Sequence, residues 1–595
     1  MNRRGLLKSF LFSPFLYGYS SKGIGNTECI LAEENNKEIK YSTPEMFGSK
    51  KANKTNTKVA IEKALTYSHK KGIPCRFSGG VYDSEDIDFN FPVNIIIEAG
   101  SYLNFILTIS GERLSKSDTI KSSLSWDECT RGKISFPMSS NQYKSGDIIS
   151  IELDDIHGGN AQKGNQNGID ILEINDNTTS VLSFKNKTRF PYFHPKISKL
   201  NNVIKISGVL NKGTKEINGN FEGLFSAGDI LRIENIDGED SVSGSRYYFE
   251  YIKVSKVLKD RMVLKSRTIY SHKNPWIIKT GFLEQVHITG NGGVKKLVIQ
   301  SANDVIVSSL LIKRLILSNC YEINLSNVKS DGLYEPSTIN ITYCFGKSII
   351  ENLNVSSSFG ITDNAVLKVM SSPQLILSNV VISDSNSNSK KQGNYCLFID
   401  ALYTPYLCWN DNIIVNNVIC EKSSSNISRS IWFYGLRNSV IDSIVGADTF
   451  LQGSIDTMFK GINIPGHFLE IKDLVRCTVD SKCAKVLIEG GQYNVFELVY
   501  GSTKSLNKTT QAEQSRTIKF TRGKIQPETG ETYSIGSSNY LKLDGYSWIS
   551  KETYPSLYVE YQDNLSLDTD INFDILRANI VKTGAQVSQL AIKNK

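Results

Sequence analysis

Paired carboxylates lying among aromatic side chains are the residues of this chain best suited to chemistry, and they crowd into positions 360–470. Asp363 stands just before a β-branched run, and Asp400 closes Cys396-Leu397-Phe398-Ile399. Tyr403, Tyr406 and Trp409 follow in an aromatic loop, and Glu421 ends the next apolar run. Arg429, Trp432, Tyr434, Arg437 and Asp448 continue the pattern. Sugar rings stack their apolar faces on aromatic rings while their hydroxyls take hydrogen bonds, so this mixture suits a glycan. Two carboxylates flanking a glycosidic bond can hydrolyse it, and a base with nearby cations can instead eliminate across a uronic acid. Asp400, Glu421 and Asp363 are the catalytic candidates. Asp400 and Glu421, 21 residues apart, are expected one rung apart on one face. Tyr403, Tyr406, Trp409, Arg429, Trp432, Tyr434, Arg437 and Asp448 are the substrate-binding candidates. Trp432 and Phe433 alternate, so one of the two points inward.

Other chemistries lack their signatures. There is no GxxxxGK[ST], no GxGxxG opening a helix, no HExxH and no GxSxG. The ten cysteines form no CxxC pair and sit mostly in apolar runs, which reads as small buried hydrophobes. No cofactor and no metal is expected. The 68 basic and 60 acidic residues are spread without a basic stripe, which argues against nucleic acid as partner.

The elements that must position these residues are short. From Val286 to about Val499, runs such as Val305-Ile306-Val307, Leu315-Ile316-Leu317 and Ile413-Ile414-Val415 recur, punctuated by Ser318-Asn319, Ser378-Asn379 and Asn416-Asn417. Strands this short between Asn-rich bends fit a β-solenoid, in which aliphatics stack rung on rung. Bend asparagines tolerate left-handed backbone there and form amide ladders. Ahead of this region, Ser145-Gly146-Asp147-Ile148 and Ala227-Gly228-Asp229-Ile230 open two near copies. Val181-Leu182 and Val263-Leu264 follow at the same interval, which marks a duplicated strand-rich module.

At the N-terminal side, Met46-Phe47-Gly48-Ser49 leads to Thr55-Asn56-Thr57, an expected N-cap cluster. A helix over Val59–Ser68 follows, stopped by Gly72, and then Gly80-Val81-Tyr82. This run resembles the entrance of pectate-lyase-like β-helix proteins, bacteriophage tailspikes among them. It departs in carrying Thr55-Asn56 where those proteins carry Asp-Asp. The resemblance implies an all-β, right-handed parallel β-helix with an early β-insertion and a C-terminal β-rich cap. The expected divisions are an N-terminal docking or signal-like segment (1–40), the helix entrance (41–140), the insertion (141–275), the main solenoid (276–504) and the cap (505–595).

The implied role is a phage or prophage tailspike in the virion tail: a homotrimer attached through its N-terminus to a tail or baseplate protein. It would recognise and depolymerise a bacterial capsular or O-antigen polysaccharide. Two rivals stand beside it. Arg3-Arg4 ahead of Leu6-Leu7 looks like a twin-arginine export signal, which suits a secreted polysaccharide enzyme. The aromatic loop suits a non-catalytic glycan-binding adhesin. No stretch reaches the roughly 18 apolar residues of a membrane span.

Overall fold

The computed structural model describes residues 40–50, 54–121, 135–136, 142–153, 169–177, 181–185, 188, 195–235, 239–241, 244–246, 249–332, 338–357, 365–384, 395–403, 406–421, 430–472, 474–489, 495–500, 516–520, 539–545, 557–561, 565–569, 579–582 and 590–594. The unit from Tyr41 onward is a right-handed parallel β-helix interrupted once near its start.

A helix, α1 (Lys54–Lys71), caps the first coil. It begins before the expected Thr55-Asn56-Thr57 cluster, which therefore lies in its first turn rather than ahead of it. The Thr57 hydroxyl reaches back to the Lys50 carbonyl at 2.9 Å. Ala60, Ile61, Ala64 and Leu65, the apolar face expected from spacing, are buried against the first strands. Gly72, at φ 64°, ends the helix in the left-handed conformation that glycine reaches without steric cost.

The first coil ends with the strand Ser101–Ser110, and its ladder resumes only at Gly293–Gln300. Between them the chain leaves through a narrow neck where Glu112 and Gly281 exchange backbone hydrogen bonds of 2.8 and 3.0 Å. At Gly111 a Cβ would lie 2.4 Å from the Ser301 carbonyl oxygen, so this close approach demands glycine. The insertion holds two six-stranded antiparallel sheets with one sequence copy each, in Ile148–Leu153 and Ile230–Glu234, and two short two-stranded pairings. Equivalent hydrogen bonds recur in the two copies. Gly146 donates to Ile174 and Gly228 to Val254, at 2.8 and 2.9 Å. The Asp147 carboxylate takes the Lys144 N–H and pairs with Lys199, as that of Asp229 takes the Ser226 N–H and pairs with Lys279.

Beyond the insertion each coil has three sides, and the corners carry left-handed residues stacked in columns. One column runs Ser309, Asn327, Asn352, Asn379, Asn417, Ser443, Gly461; another runs Gln374, Asn412, Asn438, Asp456, Arg476. The expected amide ladder is present. Asn352 donates to Asn327, Asn379 to Asn352 and Asn417 to Asn379, at 3.3, 3.2 and 3.0 Å. Inside, Ile341, Val369, Ile399, Phe433 and Leu451 stack in register and are fully buried. The eight described cysteines are all buried free thiols. The strands of the C-terminal β-rich segment keep the same parallel pairing, with Asn539–Gly545 on Leu565–Thr569 and that on Leu590–Asn594. Among the described residues no helix is long and apolar enough to cross a membrane.

Candidate functional site: an aromatic ladder on one face of the solenoid

One side of the solenoid is built from Ile339–Thr342, Ala365–Met370, Tyr395–Asp400, Ser430–Tyr434, Asp448–Gln452 and the end of Met458–Lys472. From Leu367, Leu397 and Ile431 onward residues alternate across this sheet, so inward aliphatics have outward neighbours, while Val366 and Cys396 just ahead are buried as well. The outward positions form columns. One reads Lys368, Phe398, Trp432, Phe450, Glu470; the next reads Met370, Asp400, Tyr434, Gln452, Lys472.

Phe398 and Trp432 meet edge to face with centroids 5.5 Å apart, and Trp432 and Phe450 lie at 6.3 Å. Tyr395 flanks both Phe398 and Trp432, at 5.1 and 5.3 Å. All four rings are partly exposed. Between them and the next strand opens a pocket of about 270 Å³ lined by Tyr395, Trp432, Phe450, Leu451, Gln452, Glu470 and Lys472. The Trp432 indole N–H is buried in this groove without a hydrogen-bond partner among the described residues. At the ladder's head, burial holds the Lys368 ammonium below the usual lysine range, opposed by the charge of Asp400. Its Nζ lies 5.8 Å from the Phe398 ring centroid. Asp448 Oδ1 accepts the Phe468 backbone N–H at 2.8 Å and lies 3.3 Å from His467 Nδ1. The carboxylate thus takes up an N–H beside the register shift between Ile464 and Phe468.

The structure sorts the candidate residues into five groups. Asp400, Trp432, Tyr434 and Asp448 share the groove face, and Phe433 is the inward member of the Trp432-Phe433 pair. Asp400 and Glu421 do not stack: Asp400 pairs with Met370 and Tyr434, whereas Glu421 pairs with Ser383 on another side of the coil. The 21-residue interval spans the corners at Asn412 and Asn417, so it carries the chain onto a different side. Trp409 and Arg437 are buried, 3% and 8% exposed, against the insertion. Tyr270 Oη donates to the Trp409 carbonyl at 2.7 Å, and Arg437 Nε lies 3.0 Å from the buried Asp411 carboxylate, which Lys212 also reaches at 2.9 Å. Tyr403 and Tyr406 are backbone partners in a short antiparallel pair of strands. Asp363 and Arg429 lie outside the described residues.

Lys368, Tyr395, Phe398, Phe450, Gln452, Glu470 and Lys472 were missed by sequence reasoning. The available signal was alternation within each strand. The register that stacks them, at intervals of 30, 34, 18 and 20 residues along the main column, depends on loop lengths and shows no period.

No family model matches the chain. Among solved structures it is similar to the Gp54 tailspike of Acinetobacter baumannii bacteriophage AP22, in complex with A. baumannii capsular saccharide. That likeness has 10% identity and a TM-score of 0.40 over 93% of this chain and 75% of that one. It is also similar to the tailspike protein gp49 of Pseudomonas phage LKA1, at 12% identity and TM-score 0.35 over 93% and 78%. A third similar structure is the Pseudomonas phage phi297 tailspike gp61, at 9% identity and TM-score 0.42 over 90% and 81%.

Proposed function

We propose that this chain is a tailspike-type receptor-binding protein that grips and cuts a bacterial surface polysaccharide along the groove headed by Lys368 and floored by Phe398, Trp432 and Phe450. The observation that carries this reading is the outward aromatic column. Three large rings on successive rungs, about 4.8 Å apart, leave apolar surface in solvent where polar residues would serve solubility better. A glycan repays that exposure, since its rings stack on aromatics while Asp400, Tyr434, Gln452 and Lys472 stand alongside to meet its hydroxyls.

Trp409 and Arg437, engaged against the insertion, act on the glycan only indirectly, by holding the flank of the groove. The implied homotrimer finds support on a second side, where Ile349, Ile376, Ile414, Val440 and Met458 stack outward over five rungs. Ile414 and Met458 are 44% and 43% exposed, an apolar stripe suited to another copy of this chain.

The function is tested by incubating the purified protein with a panel of capsular and O-antigen polysaccharides and following fragment size and new reducing ends. Shortening of at least one polysaccharide is expected. Binding without shortening selects the adhesin reading, and binding to none removes the glycan function.

A further inference from the structure

Four outward positions of the last two groove strands form a rectangle. Asp448 and Phe450 lie on one strand; Phe468 and Glu470 lie beside them on the next. The two phenylalanines meet across one diagonal, centroids 6.3 Å apart at 76°, and make a small apolar platform. The two carboxylates occupy the other diagonal and flank that platform. One rung of ~4.8 Å and two residues of ~6.6 Å place their Cα atoms about 8 Å apart. From Cα atoms at that spacing, Asp and Glu side chains can hold their carboxyl groups at the roughly 6.5–9.5 Å that inverting glycosidases use, which leaves room for a water on the face opposite the leaving group.

The charges around the platform also discriminate between reactions. Elimination from a uronic acid needs cations to neutralise the sugar carboxylate. Among the described residues that the register places on this face, Asp400, Asp448, Glu470 and Glu489 outnumber Lys368, Lys472 and Lys485. Lys368 and Lys472 each have a carboxylate close by: Asp400 acts on Lys368, and Glu470 shares an outward face with Lys472 two residues on. That leaves no surplus of positive charge for a uronate. His467, 3.3 Å from Asp448, is a further titratable group there, beside Tyr395 and Tyr434.

Resting on the proposed polysaccharide-cleaving function, we propose that the groove is a hydrolase site for an uncharged stretch of glycan, with Asp448 and Glu470 as its carboxylate pair. A sugar stacks on Phe450 and Phe468. Asp448 takes a proton from a water, whose oxygen bonds to the anomeric carbon as the glycosidic carbon–oxygen bond breaks. Protonated Glu470, in the aromatic pocket, gives its proton to the departing oxygen. One water is consumed, and the proton gained by Asp448 returns to Glu470 through solvent. Asp448 is fixed for its part by the Phe468 N–H.

The test compares wild type with Glu470→Gln and Asp448→Asn on a panel of neutral and uronate-containing capsular polysaccharides. Reducing ends, unsaturated-uronate absorbance and the anomeric form of the first product are followed, with binding as the check on folding. Expected are cleavage of a neutral polysaccharide with inversion, and a loss of at least ~100-fold in rate for each variant, with binding within a few-fold of wild type. Full cleavage by both variants, product retention of configuration, or unsaturated product overturns the assignment while leaving polysaccharide cleavage standing. A wild type that binds but cleaves nothing overturns both.

Discussion

Trp432 and Phe433 are sequence neighbours on opposite sides of one sheet: Phe433 is fully buried in the solenoid core, and Trp432 lies in the groove between Phe398 and Phe450. Their substitutions should therefore separate binding from stability. Trp432→Ala is expected to weaken polysaccharide binding by about 2 kcal/mol, roughly 30-fold, with little change in unfolding. Phe433→Ala is expected to cost about 3–5 kcal/mol of stability. Titration calorimetry beside chemical denaturation checks the pair, and a Trp432→Ala protein that binds normally refutes the groove.

The buried Asp411–Arg437 pair joins the solenoid to the insertion, with Arg437 also donating to the Ile269 carbonyl at 3.2 Å. Removing Arg437 leaves the buried Asp411 carboxylate with Lys212 and the Asn438 amide as partners, so its charge stays partly compensated. Arg437→Ala is expected to cost about 2–3 kcal/mol, less than a fully uncompensated buried charge, and to speed hydrogen exchange around Ile269–Tyr270. If Arg437→Ala instead abolishes glycan binding with unchanged exchange, the residue belongs to the ligand and not to the joint.

Asn379 combines φ of 53° with two links of the amide ladder. Asn379→Gly keeps the backbone and removes the amide, at an expected cost of about 1 kcal/mol. Asn379→Ala also meets the left-handed strain and should cost about 1–2 kcal/mol more. Denaturation midpoints in the order wild type, Gly, Ala are expected. Ala at or above Gly contradicts the corner account.

Glu152 gives the insertion an acid-sensitive joint. Burial pushes its carboxyl up, but Arg113 and Lys116 outweigh that and hold it at about 2. Because the folded value lies below the ordinary 4.5, the stabilisation is present above about pH 4.5 and is lost as pH falls towards 2. The size is about 3 kcal/mol. Glu152→Gln is expected to be less stable at pH 7 and to lose the wild type's decline across that window. An unchanged pH profile refutes it.

The outward stripe through Ile414 and Met458 predicts oligomer loss on charging it. Met458→Lys with Ile414→Lys should shift the protein from trimer toward monomer in sedimentation, with its β-sheet signal intact. A trimer that survives both changes does not use this side.

The sequence made the solenoid legible because its signals are local: β-branched triplets, Asn at corners, and two copies of a Gly-Asp turn at matched spacing. The capping face of α1 was readable for the same reason, down to Ala60, Ile61, Ala64 and Leu65. What could not be read was the register between coils. The intervals from Phe398 to Trp432 and from Trp432 to Phe450 differ by nearly a factor of two, so no periodicity points to the ladder. Asp400 and Glu421 were linked by an interval resembling one rung, yet two corners intervene. Trp409 drew attention as a loop aromatic, but the insertion that buries it lies more than a hundred residues earlier in the chain, at Tyr270.

In the proposed function the groove over Phe398, Trp432 and Phe450 holds the glycan. A crystal structure with an oligosaccharide cut from the cleaved polysaccharide tests it most directly. Sugar rings are expected packed on Trp432 and Phe450 within about 4 Å, with Asp448 and Glu470 flanking one linkage. An oligosaccharide bound instead along the Ile414–Met458 side, or on the insertion, would contradict it.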